Sequence, residues 1–261
     1  MADVSSDGAR IWFTVEGPSD APPLLLSHAL GTSNELWGPQ SDELRRRFRL
    51  VRYDGRGHGR SAAPAGEYSL EQLGRDAIAV LDAANVERAH VCGVSLGGQV
   101  ALWLGAHAPR RVDRLVAANT GARIGTAALW NERIAAVRSA GLAPLTEGSV
   151  ARWFTEGFRA REPEAVNAVA AGLAATPPDG YAACCAAIRD ADLRPALHSI
   201  RAPTLVIAGL RDEATPIGLS ERLRDGMPDA RLLALDGAHL TNVECAAGFT
   251  AALADFFGNG G

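Results

Sequence analysis

Short runs of apolar residues alternate along the chain with longer segments in which apolar residues recur every three or four positions. The short runs predict strands at residues 11–15, 24–27, 50–53, 90–94, 115–118, 204–208 and 231–235. Several of these strands are apolar throughout, as expected for a sheet that is covered on both faces. The longer segments predict helices at residues 36–47, 70–84, 96–107, 219–225 and 245–257. This alternation predicts an α/β fold with a mostly parallel, doubly wound sheet.

Residues 121–191 interrupt the alternation, because this segment contains no convincing strand. Helical patterns cover residues 127–140, 149–161, 163–174 and 181–190, and glycine and proline residues separate them. A helical insertion of this length between two strands is expected to lie over the carboxyl edge of the sheet as a cap. The sequence therefore predicts a core formed by residues 1–120 and 192–261, with an inserted helical cap at residues 121–191.

Composition places the chain among globular proteins and excludes several classes of partner. Of the 261 residues, 47% are hydrophobic, which is enough to bury a full core. The net charge is −4 with both signs scattered, which argues against binding to nucleic acid. No stretch approaches the roughly 20 apolar residues of a membrane-spanning helix. We therefore expect neither nucleic acid nor membrane as a partner, and these patterns leave the oligomeric state open.

The cysteines suggest reduced thiols rather than a disulfide framework or a metal site. They are Cys92, Cys184, Cys185 and Cys245, and none of them forms a CxxC pair. No group of histidines stands at zinc-binding spacing. The N-terminus lacks the charged and apolar regions of a signal peptide. We therefore expect a cytoplasmic protein that needs no metal.

The strongest chemical signal is the segment Gly93-Val94-Ser95-Leu96-Gly97, which fits the G-x-S-x-G pattern of a nucleophile elbow. The segment follows a predicted strand and opens a predicted helix, as that pattern requires. Glycine on both sides of the turn allows the strand and the helix to approach closely. We predict that Ser95 is a nucleophile; the alternative is a glycine-rich turn whose serine caps the helix.

A serine hydroxyl needs a general base, and the base needs an acid to orient it. The elbow pattern predicts the chain order serine, acid, histidine. His239 follows the last predicted strand and Asp212 follows the strand before it, so both reach the sheet edge that presents Ser95. A second acid position, at the end of the preceding strand, holds Asn119, which is not a carboxylate. The competing acids are Glu213, Asp190, Asp192 and Asp236, and the competing histidine on a loop at this edge is His58.

A tetrahedral oxyanion needs hydrogen-bond donors in place before it forms. In an elbow architecture one donor is the backbone N–H of the residue after the nucleophile, here Leu96. The other comes from the loop that leaves an early strand, and Leu30 is the expected donor in Ser27-His28-Ala29-Leu30-Gly31-Thr32. Position in the chain is the basis of both assignments, since backbone donors do not depend on the side chain.

These residues together resemble the α/β-hydrolase superfamily, which implies an α/β-hydrolase fold. The likeness includes Tyr53-Asp54-Gly55-Arg56-Gly57-His58-Gly59-Arg60-Ser61 as well as Ser95, Asp212 and His239. A closer likeness, to the 3-oxoadipate enol-lactonases, covers nearly the whole chain. Its most specific strings lie in the predicted cap and span residues 175–190, 129–138 and 152–155. The resemblance implies hydrolysis of a lactone without a cofactor, in the degradation of aromatic compounds.

The implied substrate is a small enol-lactone that carries a carboxylate, which a closed cap must not bury without a partner. Arginine is the expected partner, because all 26 basic residues are arginine and the sequence contains no lysine. Arg133, one helical turn from Trp130, is the first candidate among Arg123, Arg133, Arg138, Arg152 and Arg159. Trp130 and Trp153 are candidate walls of the substrate pocket, although both residues are equally suited to packing between cap and core.

Other functions use the same catalytic residues and the same fold. A general carboxylesterase, a cofactor-free peroxidase or a hydrolase of carbon–carbon bonds would each need an elbow serine with its histidine and acid. A ligand-binding protein with a hydrolase fold is the alternative from another class. Fold alone does not separate these functions, because function depends on the site.

Overall fold

The predicted sheet is present in the computed structural model, which describes residues 1–258. Within these residues one sheet contains eight strands in the spatial order β1-β2-β4-β3-β5-β6-β7-β8. The strands are β1 (Ala2–Ser6), β2 (Ala9–Glu16), β3 (Pro23–Ser27), β4 (Arg49–Tyr53), β5 (Ala89–Val94), β6 (Val112–Ala118), β7 (Thr204–Gly209) and β8 (Ala230–Leu235). Strand β2 pairs antiparallel with β1 and β4, and the pairs from β4 to β8 are all parallel. The fold is therefore the α/β class that the alternating pattern predicts.

The central strands confirm the expected apolar pattern, whereas the first strand was not predicted. Every residue of β5 and β7 is buried, since helices cover both faces of the sheet there. Strand β1 lies at the edge of the sheet and most of its residues are exposed. An edge strand that faces solvent needs no apolar run, so residues 2–6 carry no strand signal.

Within residues 1–258, six α-helices flank the sheet and five more lie between β6 and β7. The flanking helices are α1 (Gly38–Leu44), α2 (Leu70–Ala83), α3 (Leu96–His107), α9 (Ile217–Gly226), α10 (Thr241–Glu244) and α11 (Ala246–Gly258). The inserted helices are α4 (Ala127–Ala140), α5 (Ala143–Trp153), α6 (Glu156–Arg161), α7 (Pro163–Ala175) and α8 (Pro178–Asp190). None of the helices within residues 1–258 has the length and apolar character needed to span a membrane.

Three predicted helices differ from the structure in how they begin or where they break. The helix expected over 149–161 is two helices, because Phe154 is extended and Thr155 caps α6 by accepting from the N–H of Phe158. The helix expected at 36–47 begins with a 3₁₀ turn at Asn34–Trp37 that Ser33 caps. The helix expected at 245–257 is preceded by the short α10, and the two helices are separated at residue 245.

The inserted helices are attached to the rest of the molecule through α8, whose residues 180–188 are all buried. A Cβ atom at Gly57 would lie 2.8 Å from Cα of Gly180, so only glycine allows the loop after β4 to approach α8 so closely. The backbone N–H of Tyr68 also donates to the carbonyl of Ala183 at 3.2 Å. These contacts hold one end of the insertion against the carboxyl edge of the sheet.

Candidate active site

Ser95 lies at the sharp turn between β5 and α3, where the elbow pattern predicts it. Its backbone has φ 57° and ψ −116°, a conformation that side-chain-bearing residues rarely adopt. Cβ atoms at Gly93 and Gly97 would lie 1.9 Å and 2.1 Å from backbone carbonyl oxygens, so neither position tolerates a larger residue. The turn is fixed by the N–H of Ser95, which donates to Ala118, and by the hydroxyl of Thr120, which donates to the carbonyl of Ser95.

The side chains of Ser95, His239 and Asp212 form one chain of hydrogen bonds. Nε2 of His239 lies 3.0 Å from Oγ of Ser95, and Nδ1 lies 2.9 Å from Oδ2 of Asp212. An ionised carboxylate only accepts hydrogen bonds, so Nδ1 donates to Asp212 and Nε2 accepts from Ser95. This arrangement leaves the histidine able to take a proton from the serine hydroxyl.

Asp212 is held in a buried pocket of hydrogen-bond donors. Its Oδ1 accepts from the N–H groups of Ala214 and Thr215, and its Oδ2 accepts from the hydroxyl of Thr215 at 2.6 Å. Burial by itself would raise the pKa of Asp212, but the charge and hydrogen bond of His239 and the bonds from Thr215 outweigh it, so the pKa lies below its usual value. The carboxylate is therefore ionised at neutral pH.

Asn119 joins the acid to the loop that carries the histidine. Its Nδ2 donates to Oδ2 of Asp212 at 3.0 Å and to the carbonyl of Ala238 at 3.1 Å. Its Oδ1 accepts from the hydroxyl of Thr241 at 2.5 Å. The residue is fully buried and has φ 46°, which asparagine tolerates better than most residues. The sequence marks Asn119 only as a position without a carboxylate, and its bridging contacts carry no local signal.

The competing acids have other partners or other positions. Three of them pair with arginines instead, namely Asp190, Asp192 and Asp236. Glu213 lines the cavity described below, but Asp212 is the carboxylate that is hydrogen-bonded to His239. The structure thus brings together the acid and the histidine that strand order selects.

His28 and His58 brace two loops against each other and are not placed to act as bases. Nε2 of His58 accepts from the N–H of Gly31 at 2.9 Å, and Nε2 of His28 accepts from the N–H of Gly55 at 2.8 Å. Burial lowers the pKa of both rings, and for His58 burial together with nearby His28 lowers the pKa to about 3. Both rings are therefore neutral, as an accepting Nε2 requires.

The two predicted oxyanion donors lie close to this braced region. Leu96 is the first residue of α3, and the first N–H groups of a helix have no partner within the helix. Leu30 precedes Gly31, whose N–H is held by His58, and Leu30 and Ser95 both line one cavity. The braces thus fix the loop that carries Leu30 next to the serine.

The cavity has a volume of about 180 Å³ and lies between the sheet edge and the inserted helices. The sheet edge contributes Ser95, His239 and Leu30, and the insertion contributes Trp130, Trp153, Arg133, Arg152 and Tyr181. All three residues predicted to bind substrate are therefore at the cavity.

The indole ring of Trp130 has a fixed orientation at the cavity. Its N–H donates to the carbonyl of Ile124 at 2.7 Å, and the side chain is nine-tenths buried. Trp153 is buried to a similar extent at the end of α5. Both rings can therefore serve as cavity walls and as packing groups at once, so the two roles weighed from the sequence do not exclude each other.

Arg133 is held at the cavity by two hydroxyl groups. Its Nε donates to the hydroxyl of Tyr181 at 2.7 Å, and its NH2 group donates to Oγ of Ser149 at 2.9 Å. Among residues 1–258, neither Arg133 nor Arg152 forms an ion pair with a carboxylate. Two guanidinium groups therefore line the cavity without an ion-pair partner among the described residues, and the carboxylate of Glu213 lines the same cavity without pairing with either of them.

The remaining candidate arginines lie elsewhere. Arg123 is paired with Asp192, and Arg138 is exposed on the last turn of α4. Arg159 lies on α6 and does not line the cavity. Position at the cavity therefore reduces the five candidates to Arg133 and Arg152.

Tyr181 and Ser149 were not predicted as site residues. Tyr181 is 48 residues and Ser149 16 residues along the chain from Arg133. Tyr181 lies in the family-like string at residues 175–190, which does not single it out, and Ser149 lies in no such string. Within the described part of the chain no group of three or more histidine, cysteine, aspartate or glutamate side chains is placed to hold a metal ion. The chemistry that this arrangement offers is nucleophilic attack by a serine on an acyl group beside two guanidinium groups.

The amino-acid sequence is similar to those of known hydrolases. Residues 22–244 match the family model of the alpha/beta hydrolase fold. The chain is 40% identical to 3-oxoadipate enol-lactonase 2 of Acinetobacter baylyi over 87% of its own length and 85% of the relative's. It is also 33% identical to a putative carbamate hydrolase of a Caulobacter species over 92% of each chain.

A solved structure extends the likeness to three dimensions. The enol-lactonase from Burkholderia xenovorans superposes with a TM-score of 0.97 at 36% identity, covering 99% of this chain and 100% of that one. The arrangement of sheet and inserted helices thus occurs in a fold whose members include enol-lactonases. The chain therefore belongs to the α/β-hydrolase family, is an enzyme of the hydrolase class, and is similar to the 3-oxoadipate enol-lactonases of that family.

Proposed function

We propose that this chain is a serine hydrolase that opens 3-oxoadipate enol-lactone to 3-oxoadipate in the degradation of aromatic compounds. The observation that carries the proposal is the pair Arg133 and Arg152, which line the cavity of Ser95 and His239 without a carboxylate partner among the described residues. A substrate that carries a carboxylate supplies the ion-pair partner that both guanidinium groups lack. The similarity to two enol-lactonases supports the same substrate.

In the proposed reaction Ser95 acts as nucleophile, His239 as general base and Asp212 as the acid that orients it. Oγ of Ser95 attacks the lactone carbonyl while Nε2 of His239 takes the hydroxyl proton. The N–H groups of Leu30 and Leu96 hold the oxyanion. Collapse of the tetrahedral intermediate breaks the ring C–O bond and leaves an enolate that is still tethered to the acyl-serine. The enolate gains the proton that His239 took from Ser95 and becomes the ketone, which leaves His239 neutral. An enol is a better leaving group than an alcohol, so protonation of the leaving group matters less than in a simple ester.

The second half-reaction returns the free enzyme. His239 takes a proton from water, the resulting hydroxide equivalent attacks the acyl-serine, and Ser95 leaves with the proton from His239. The overall reaction consumes only water, so we propose no cofactor.

Residues 121–191 serve as the cap in this proposal, and residues 1–120 and 192–258 form the core; the last three residues of the predicted core, 259–261, lie outside the described residues. Trp130 and Trp153 form apolar walls of the pocket, and Arg133 is the primary partner of the substrate carboxylate. Excluding water from the pocket strengthens the attraction between the arginine and the carboxylate. We also propose a cytoplasmic location, since all four cysteines are free thiols, as is usual in a reducing compartment.

The test is to assay the purified protein on enol-lactone generated enzymatically and to identify 3-oxoadipate as the product. Ser95→Ala is the matched control, because it removes the nucleophile and leaves the arginines in place. Turnover by the wild type and its loss in Ser95→Ala would support the proposal. A wild-type protein that hydrolyses neutral aryl esters and leaves the enol-lactone intact would overturn the substrate assignment.

A carbamate is the second candidate substrate, because a putative carbamate hydrolase is 33% identical to this chain. The same serine and oxyanion donors would attack a carbamate carbonyl. Measuring kcat/KM for both substrates with one protein preparation ranks the two directly. We expect the enol-lactone to be preferred.

A further inference from the structure

Glu244 connects the loop that carries His239 to the inserted helices. It is the last residue of α10, and its side chain turns back towards the histidine loop, defined here as residues 237–240. Oε2 of Glu244 accepts from the N–H of Ala238 at 2.9 Å. Oε1 accepts from the hydroxyl of Thr155 and, at 3.3 Å, from the N–H of Thr155. One carboxylate thus joins two segments that are far apart in the sequence.

A second link joins the same two segments. The N–H of Leu240 donates to the carbonyl of Trp153 at 3.1 Å. The two links hold the residues immediately before and after His239, and both lead to residues 153–155, the junction between α5 and α6. This junction is also where the predicted single helix is divided. The division therefore places hydrogen-bonding groups opposite the histidine loop.

The position of His239 decides whether it can take the serine proton. Proton transfer requires Nε2 to stay within hydrogen-bond reach of Oγ of Ser95, from which it lies 3.0 Å. Asp212 fixes the ring from the other side, but it does not hold the backbone on which the ring is carried. The contacts that hold the backbone of the histidine loop therefore contribute separately to the position of His239.

Two hydrogen bonds, one to the carbonyl and one from the N–H of Ala238, hold the backbone next to His239. The carbonyl of Ala238 accepts from Asn119, which lies at the end of β6. The N–H of Ala238 donates to Glu244, which leads to the inserted helices. Loss of either contact removes one of the two hydrogen bonds that hold the backbone immediately before His239.

A carboxylate suits this junction better than an amide does. Both oxygens of Glu244 face donors, and bonds from N–H and O–H groups to an ionised acceptor are stronger than neutral ones. A glutamine would have to direct its NH₂ group towards either Ala238 or Thr155, and one donor would then be left without an acceptor. The geometry therefore requires an acceptor at both ends of the side chain.

From these contacts we propose that Glu244 is a positioning residue, which ties the histidine loop to the α5–α6 junction and so keeps His239 in line with Ser95. The inference rests on the proposed role of His239 as the base. The α5–α6 junction also contains Trp153, which lines the substrate cavity. The link from Glu244 to this junction therefore makes the position of His239 depend on the position of a cavity wall. Displacement of the junction then weakens catalysis without any change in the three proposed catalytic side chains.

The experiment compares Glu244→Ala and Glu244→Gln with the wild type on the enol-lactone and on a neutral aryl ester. Each variant loses at least one hydrogen bond to a charged acceptor, so we expect kcat to fall by about ten- to a hundred-fold on both substrates, with KM changed less than about twofold. Thr155→Val removes the hydroxyl donor and should also lower kcat. Thr155→Ser keeps that donor and should have a kcat close to that of the wild type.

Thr126→Val is the matched control for the loss of a helix cap. Thr126 caps α4 by accepting from Leu129, as Thr155 caps α6, but within the described part of the chain it makes no hydrogen bond to the histidine loop. We expect Thr126→Val to keep the wild-type kcat. A second readout is the NMR signal of the Nδ1 proton shared with Asp212, which should shift or broaden in Glu244→Ala and stay unchanged in Thr126→Val.

Two results would overturn the inference. A Glu244→Ala protein with lower Tm and an unchanged kcat and Nδ1 signal would make Glu244 a purely structural residue, and a change in KM alone would make it a substrate contact. Failure of the proposed function is distinguishable from both, since it would show in the wild type as a lack of enol-lactone turnover. The aryl ester and the NMR signal would still test Glu244 in that case.

Discussion

Nδ2 of Asn119 lies 3.0 Å from Oδ2 of Asp212, the same oxygen that accepts the hydrogen bond of His239. The amide thus supplies a donor where a carboxylate would supply a second negative charge. Because the side chain is fully buried, replacing the amide changes the electrostatics of the acid directly.

We expect Asn119→Asp to make activity, measured relative to the wild type, depend strongly on pH. Two carboxyl groups about 3 Å apart cannot both ionise easily, so one of them holds a proton with a raised pKa. At low pH the introduced carboxyl group is protonated and still donates to Asp212, and at higher pH repulsion displaces the acid. The kcat of this variant, divided by that of the wild type, should therefore fall as pH rises.

Asn119→Ala is the control for this pH dependence. It removes the donor without adding a titrating group, so its kcat relative to the wild type should be reduced by a similar factor at every pH. Steady-state kinetics between pH 5 and 9 compare the two variants directly. Parallel pH profiles for the two variants would contradict this account.

The three proposed catalytic residues should act as one unit. Ser95→Ala and His239→Ala should each lower kcat by about 10⁴- to 10⁶-fold, and the double variant should lose little more, because each change already disables the proton transfer. Asp212→Asn should also be severe, since it favours the wrong tautomer of His239. If the fold-loss in kcat of the double variant equals the product of the two single losses, the residues act independently. Near-normal activity of Asp212→Asn would point to Glu213 or Asp236 as the acid.

Arg133→Leu should lower kcat/KM for the enol-lactone by about ten- to a hundred-fold, because a hydrogen bond to a charged group is worth roughly 1.5–3 kcal/mol. Hydrolysis of a neutral aryl ester should change little, since that substrate has no carboxylate. Arg152→Leu tests the second arginine at the cavity, and Arg123→Leu is the control, because that side chain is paired with an aspartate. Equal losses on both substrates would make Arg133 a structural partner of Tyr181 and Ser149.

Stability should fall as the solution becomes acidic, and His58 contributes to the fall. Burial lowers its pKa to about 3 in the folded protein, while an unfolded histidine titrates near 6.5. Below about pH 6.5 the unfolded chain binds a proton that the folded protein excludes, so the free energy of unfolding decreases by about 1.4 kcal/mol per pH unit down to about pH 3. At pH 5 the contribution lost is about 2 kcal/mol.

Chemical denaturation between pH 5 and 8 measures this slope. His58→Gln removes the titrating group, so the difference in stability between the variant and the wild type should shrink as the pH falls. The glutamine variant is expected to be less stable than the wild type at pH 8, because the bond from Gly31 is disturbed. If the difference in the free energy of unfolding is constant across the pH range, His58 takes up no proton when the chain unfolds.

Elements with local signals could be read directly from the chain. Apolar strands alternating with helices predicted the parallel sheet, because burial on both faces imposes a continuous apolar run. Gly93, Ser95 and Gly97 predicted the elbow, since the turn requires glycine at fixed positions beside the serine. Asp212 and His239 followed from strand order, because all parallel strands present their carboxyl ends at one edge.

Contacts between groups that are distant in the chain became visible only once the helices were packed. Nothing near Arg133 in the sequence indicates that Tyr181 and Ser149 hold it, and nothing near Glu244 indicates that it reaches Thr155. The division between α5 and α6 depends in part on such a contact, because a carboxylate from α10 holds the residue at the break. Single polar side chains carry no periodic pattern, so their partners are set by how the helices pack against one another and against the sheet edge.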